Sequence, residues 1–159
     1  MSKTLVAYFS HSGNSQVIAK EFAEVLNGDL FEIKARHVYS NHYNTVVEEA
    51  KRELNAKVRP ALLHPLPDLK KYETIVIGYP NWWGTMPMPC FTFLERADFS
   101  YKTIIPFCTH EGSGMGRSEQ DIQSLCSLAQ VLKGLAIRGS AVQKAQQSIV
   151  NYLKENQLI

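Results

Sequence analysis

The sequence predicts an α/β domain, an open parallel sheet with helices packed on both faces. Three observations carry this. Short apolar runs alternate along the chain with segments of helical period. The runs are apolar throughout rather than at every second residue, as strands covered on both faces must be. Polar or glycine-rich turns follow the first, third and fourth runs, and those turns meet at the sheet edge where such folds hold ligands.

The elements follow in order. Leu5 to Phe9 is long enough for a buried strand and too short for a helix. The segment after it places Val17, Ile18, Phe22, Val25 and Leu26 on one helical face. Asn27-Gly28 turns the chain into a short second strand over 29–34. Residues 36–45 show no period and read as loop. Val46 to Asn55 carries charge on most faces and predicts a largely solvated helix. Pro60, Pro65 and Pro67 impose an extended connection to a third strand at 74–78. A helix over 89–96, a strand over 103–108, a helix over 118–128, a strand over 131–137 weakened by Gly134, and a helix over 140–155 complete the chain. Ser118 with Asp121, and Ser140 with Gln143, have capping-box spacing. Pro106 falls in a run that should be an interior strand, so a bulge or a strand end is expected there.

With 159 residues, 45% hydrophobic and 20% charged, the chain suits one domain spanning 1–159 with a substantial core. The first residues lack a signal-peptide pattern, and no run approaches the length of a membrane span. Cys90, Cys108 and Cys126 are odd in number and widely spaced, which argues against a disulfide framework or a zinc site and for a reduced cytoplasm. A net charge of +2 without a basic run gives no support to nucleic-acid binding.

The first turn, Ser10-His11-Ser12-Gly13-Asn14-Ser15, joins strand to helix with hydroxyl and amide donors around one glycine. A helix start offers unpaired N–H groups and partial positive charge, so an anion can settle there. The turn lacks the Lys-Ser/Thr ending of a nucleoside-triphosphate loop and the Gly-x-Gly-x-x-Gly of a dinucleotide loop. A cradle without a cation suits one terminal phosphate held by neutral hydrogen bonds. The plain alternative is a strand-to-helix turn capped by Ser12 or Asn14.

The second turn, running from Pro80-Asn81-Trp82-Trp83-Gly84 to Pro89, carries both tryptophans. Adjacent indoles in a proline-stiffened loop suit stacking on a planar ligand, the alternative being burial in the core. The third, Thr109-His110-Glu111-Gly112-Ser113-Gly114 and on to Ser118, spaces its glycines for close backbone approach to a ligand; the alternative is a flexible surface loop. Ser113 is not the centre of a nucleophile elbow, and His110-Glu111 lacks the second histidine of a zinc helix. No catalytic residue and no metal ligand is therefore assigned. His11 and His110 are candidates for ring contacts or proton delivery, or simply solvated residues.

These three turns resemble those of the flavodoxins, in particular the short flavodoxin-like proteins with an Asn-Trp-Trp-Gly loop, and the resemblance runs over essentially the whole chain. It implies a flavodoxin-like fold of five parallel strands in the order 2-1-3-4-5, flavodoxins being among the proteins on which the edge-of-sheet rule itself rests. It also implies one non-covalent FMN, with its phosphate on residues 10–15, its ring against Trp82 or Trp83, and the third turn along its polar edge. The slightly basic charge departs from the acidic electron-shuttling members of the family. Two roles follow: a one-electron carrier serving a redox partner protein, or a reductase passing hydride from a nicotinamide to a quinone or similar small-molecule acceptor. Two stiff indoles beside the ring favour the carrier. A flavin-free binding module on the same scaffold is the third possibility.

Overall fold

The computed structural model describes residues 3–159. Its elements are β1 (Lys3–Tyr8), α1 (Asn14–Leu26), β2 (Asp29–Glu32), α2 (Tyr43–Asn55), β3 (Tyr72–Pro80), α3 (Met88–Glu95), β4 (Thr103–His110), α4 (Ser118–Leu125), β5 (Gln130–Val131), β6 (Leu135–Arg138) and α5 (Gln146–Glu155). The strands run parallel in the order β2-β1-β3-β4-β5, and β6 also pairs with β4. The flavodoxin-like topology expected from the sequence is present.

Alternation along each strand sorts the core into two layers. Leu5, Ala7, Phe9, Ile75, Ile77, Tyr79, Ile104 and Cys108 face α2, α3 and α4. Val6, Tyr8, Val76, Ile105 and Phe107 face α1 and α5. On that second face the rings of Phe22 and Phe107 stack at 5.2 Å, and Gly78 makes the room. A Cβ at Gly78 would lie 1.8 Å from the Phe107 ring.

Pro106 explains why the last strand is divided. β4 is unbroken, with Pro106 opposite Ile77 of β3. On its other side Ile104 pairs with Val131 and Phe107 with Leu135, so the neighbouring strand carries one residue more than β4 over this stretch. The missing proline N–H is accommodated by a bulge in the partner. The single strand expected over 131–137 becomes β5 and β6, with Gly134 packed against Pro106.

Neither capping box forms. The Ser118 hydroxyl donates to Met115 O at 2.7 Å and accepts from Tyr79 at 2.8 Å, so a bond within the preceding turn and one tertiary partner displace the cap. Residues 139–144 form a 3-10 turn before α5, and the helix read over 140–155 shortens to Gln146–Glu155. α4 likewise ends at Leu125 rather than 128. Val142, Ile149 and Leu153 do face inward, as their spacing requires.

Candidate functional site

The three turns gather at the carboxyl ends of β1, β3 and β4, where strand order reverses. The first is shaped by Ser10. Its Oγ accepts from Gly13 N at 3.1 Å and Gln16 N at 3.3 Å, closing the loop onto the first turn of α1. The cap is thus supplied by Ser10, not by Ser12 or Asn14. Gly13 precedes the helix at φ 100, a conformation that favours glycine, and no atom lies within 4 Å of where its Cβ would be. Among the described residues the N–H groups of Ser12, Asn14 and Ser15 have no protein acceptor. An open crest with unpaired donors and the positive end of a helix dipole is able to hold an oxyanion without a basic side chain.

Ser15 points the other way. It is buried, and its hydroxyl bonds Thr109 Oγ1 at 2.9 Å, tying α1 to the end of β4. Asn14 and Glu111 both lie against Gly139, where a Cβ would come within 2.9 Å of Asn14 Nδ2 and 2.2 Å of Glu111 Oε1. The turn after β6 therefore joins the edge as well.

The second turn is a two-residue hairpin. Trp82 N donates to Thr85 O at 2.9 Å and Thr85 N to Trp82 O at 3.3 Å, with Trp83 at φ 58 and Gly84 at φ 86. Positive φ at both central residues marks a type I′ turn. Asn81 staples it to the third turn: its Nδ2 donates to Gly114 O at 2.9 Å, and its Oδ1 accepts from Gly84 N at 2.8 Å. Pro80 ends β3 opposite Thr109, and Asn81 N donates to Thr109 O. Arg117 N adds a 2.7 Å bond to Gly84 O, possible only because residue 116 is glycine; a Cβ there would lie 2.2 Å from that same oxygen. The Thr85 hydroxyl bonds the Asp121 carboxylate, which Arg117 Nε also approaches at 3.5 Å.

The two indoles take different places. Trp82 is half-buried, edge-on to Phe9 at 5.2 Å, Tyr39 at 5.1 Å and His11 at 5.9 Å. Trp83 is 45% exposed; its Nε1 donates to Val47 O at 2.9 Å, and Lys51 Nζ stands 5.1 Å from the ring centroid. Trp82 thus packs against core aromatics, while Trp83 is held on α2.

In the third turn, Gly112 N donates to His110 Nδ1 at 2.9 Å. Gly112 (φ 133) and Gly114 (φ 65) leave the crest free of side chains beside exposed Ser113. Arg138 closes its outer side with a 3.4 Å bond to Glu111 O. Beneath it, burial pushes the Cys108 thiol up to about 12 and raises Tyr79 well above the usual phenol range. Neither supplies a nucleophile or a neutral-pH acid–base group. Among the described residues no cluster of His, Cys, Asp or Glu is arranged to hold a metal.

The segment before α2 and α2 itself form a wall that the sequence reading did not assign to the site. His11 Nε2 lies 2.8 Å from Ser40 O, Ser40 N donates to Glu49 at 2.9 Å, and Tyr39 OH donates to Glu53 at 2.5 Å. His37 Nε2 meets the same Glu53 at 3.1 Å. One signal was available. Glu49 and Glu53 are four residues apart, hence on one helical stripe, and that stripe faces the preceding loop.

The arrangement offers an oxyanion seat at α1 and, at the same sheet edge, the glycine-rich second and third turns stapled together, with no reacting side chain. Comparison with known proteins bears on the family and the fold. A solved structure of a candidate flavoprotein from Bacteroides uniformis is 33% identical, with a TM-score of 0.86, covering 96% of this chain and 98% of that one. A flavoprotein from Lactobacillus acidophilus NCFM, solved in complex with FMN, is 22% identical with a TM-score of 0.75, covering 91% of this chain and 98% of that one, a likeness of fold. An NAD(P)H dehydrogenase (quinone) from Acidovorax ebreus (strain TPSY) is 30% identical over 98 residues, which is 61% of this chain and 47% of that protein, so the chain spans about half its length. The family model for flavodoxin matches residues 3–154, and with the strand order and the three turns at one edge this places the chain in the flavodoxin family.

Proposed function

We propose that this protein binds FMN and works as a one-electron carrier for a redox partner protein. The residues fit the group. The open crest at Gly13 and the unpaired N–H groups of Ser12, Asn14 and Ser15 suit a phosphate monoester, with Ser10 holding the loop in shape. The backbone of Asn81 to Gly84 and of His110 to Gly114 would border the ring, with the indole of Trp82 or Trp83 beside it. Bound FMN would supply the electron-transfer chemistry; the chain orients it and sets its surroundings.

The observation that carries the carrier reading is the Trp83–Gly84 peptide. Its N–H is bonded to Asn81, while Trp83 O accepts no hydrogen bond among the described residues. Trp83 pays for φ 58 by about 1–2 kcal/mol, the general cost of a left-handed L-residue. Turning this peptide over converts type I′ to type II′, in which Gly84 moves to negative φ while Trp83 keeps positive φ. The two forms of the turn differ in the group this peptide presents to a neighbour, a carbonyl or an N–H. Such a peptide can follow a neighbour whose protonation changes with its redox state.

A reductase using a nicotinamide and a quinone-like acceptor is the second reading, favoured by the Acidovorax relative. Neither indole is free to cover this edge, since Trp82 is packed edge-on and Trp83 is held on α2. Anaerobic titration of the FMN-loaded protein with dithionite separates the two. A carrier takes up electrons in two resolved single-electron steps and bleaches slowly with NADPH, and Gly84→Ala merges the steps. One two-electron step with rapid bleaching by NADPH overturns the carrier.

A further inference from the structure

A second binding site lies away from the three turns, on the face covered by α2 to α4. Where the chain returns from α2, Leu62 bridges Ala35 antiparallel, Arg36 N donates to Ala61 O at 2.9 Å and Leu63 N to Lys34 O at 2.7 Å. This short ladder extends the β2 edge and, with the C-terminal end of α3, encloses a surface recess of about 250 Å³. Arg36, His64 and Arg96 line it together with Leu62, Leu63 and Leu66, and Pro65 stiffens its rim. None of these residues belongs to the three turns.

The charges are unbalanced. Among the described residues neither the Arg36 nor the Arg96 guanidinium has a hydrogen bond or ion pair. Glu95, beside Arg96 in the chain, is taken by Arg59 at 2.8 Å. His64 has only a loose approach to Glu32 at 3.8 Å. Two unpaired guanidiniums over one recess present planar donor forks, the geometry that matches carboxylate and phosphate oxygens. The walls are of another kind. Leu62 and Leu66 rest on the core and Leu63 is 49% exposed, so the recess also offers apolar surface. Its volume falls just below the usual range for sites of drug-sized ligands, about 300–1,000 Å³, which limits the occupant to a small molecule.

We infer that this recess binds a small amphiphilic oxyanion, a carboxylate or phosphate monoester on a short apolar body, between Arg36 and Arg96. The guanidiniums take the oxyanion, and Leu62, Leu63 and Leu66 take the hydrocarbon.

The test uses the full chain and follows backbone amides by NMR while hexanoate, hexyl phosphate, acetate, inorganic phosphate and hexanol are titrated separately. The expected result is saturable shifts centred on residues 36, 62–66 and 96, with hexanoate or hexyl phosphate binding more tightly than acetate or inorganic phosphate, and hexanol not binding. Whichever of the two amphiphiles binds tighter identifies the headgroup. R36Q and R96Q, both at exposed positions, should each weaken the amphiphile about tenfold or more, as loss of a charge-assisted hydrogen bond requires. L63N should erase the preference for the longer anion while leaving acetate unchanged. Absence of shifts, equal affinity for hexanol, equal affinity for acetate and hexanoate in the parent, or undiminished binding in both arginine variants would each overturn the inference.

Discussion

Replacing Gly116 by alanine tests the contact that holds the second and third turns together, and Gly114→Ala is its internal control. Both glycines have similar left-handed φ, 57 and 65. For each, alanine meets a backbone cost of about 1–2 kcal/mol, offset by about 0.4–1 kcal/mol of lost unfolded-state freedom. At Gly114 nothing lies within 4 Å of the new Cβ, so this small net cost is the whole effect. At Gly116 the Cβ would lie 2.2 Å from Gly84 O and 2.6 Å from its carbon, and both are backbone atoms of a braced turn. The turns must part by nearly an ångström, breaking the 2.7 Å bond from Arg117 N to Gly84 O. Overpacking costs of about 1–3 kcal/mol and about 1 kcal/mol for the hydrogen bond make Gly116→Ala roughly 2–4 kcal/mol worse than Gly114→Ala. Urea unfolding of the two variants measures the difference directly. In thermal melts it should appear as a gap of roughly 4–16 °C, at about 2–4 °C per kcal/mol for a chain of this size. Equal stabilities would show that Gly116 does not carry the joint between the turns.

Ser10→Ala removes the acceptor of two N–H groups at the start of α1 and should cost about 1 kcal/mol of stability. It should weaken FMN more than riboflavin in fluorescence titrations, and an unchanged ratio of the two affinities would remove the phosphate seat from residues 10–15. Trp82→Ala empties a place among Phe9, Tyr39 and His11 and should destabilise by about 2–3 kcal/mol, whereas Trp83→Ala should cost under about 1 kcal/mol yet speed amide exchange over 43–51. If either variant restores flavin emission in the complex, that indole meets the ring; full quenching in both means that neither does. Stability should fall as pH rises from about 9 toward 12. Burial raises Cys108 to about 12, Cys126 to about 11 and Tyr152 to about 12, so the unfolded chain loses these protons first and gains on the folded one. Urea midpoints that hold constant across that window would contradict it, as would rapid reaction of the native cysteines with a thiol reagent at pH 8.

Much was legible because it rests on local periodicity. Apolar runs such as Ile75-Val76-Ile77 can only be strands covered on both faces, and the spacing of Ile18 and Phe22 on α1 can only point one way. The Asn-Trp-Trp-Gly stretch marked its turn because its residue types are unusual in combination. The irregularity at Pro106 was foreseeable from a missing donor, though its place was not: the extra residue went to the neighbouring strand.

The sequence by itself determined the alternation of strands and helices, the family, and which three turns would meet. Each of those depends on backbone chemistry and burial within a few residues. Only the tertiary structure decided what the side chains at that edge do. Ser118 and Asp121 have the spacing of a cap, yet they bond Tyr79, Met115 and Thr85, because buried partners from β3 and the turns outcompete a local bond that water could replace. The loop 36–42 shows no period, yet Tyr39 is buried between Glu53 and Trp82. The two tryptophans are neighbours in sequence, yet in this turn, with Trp83 at φ 58, one indole lies among the core aromatics and the other on α2. Most of these pairings join residues dozens of positions apart, and their energy comes from desolvation and contact that exist only once the sheet has brought its edges together.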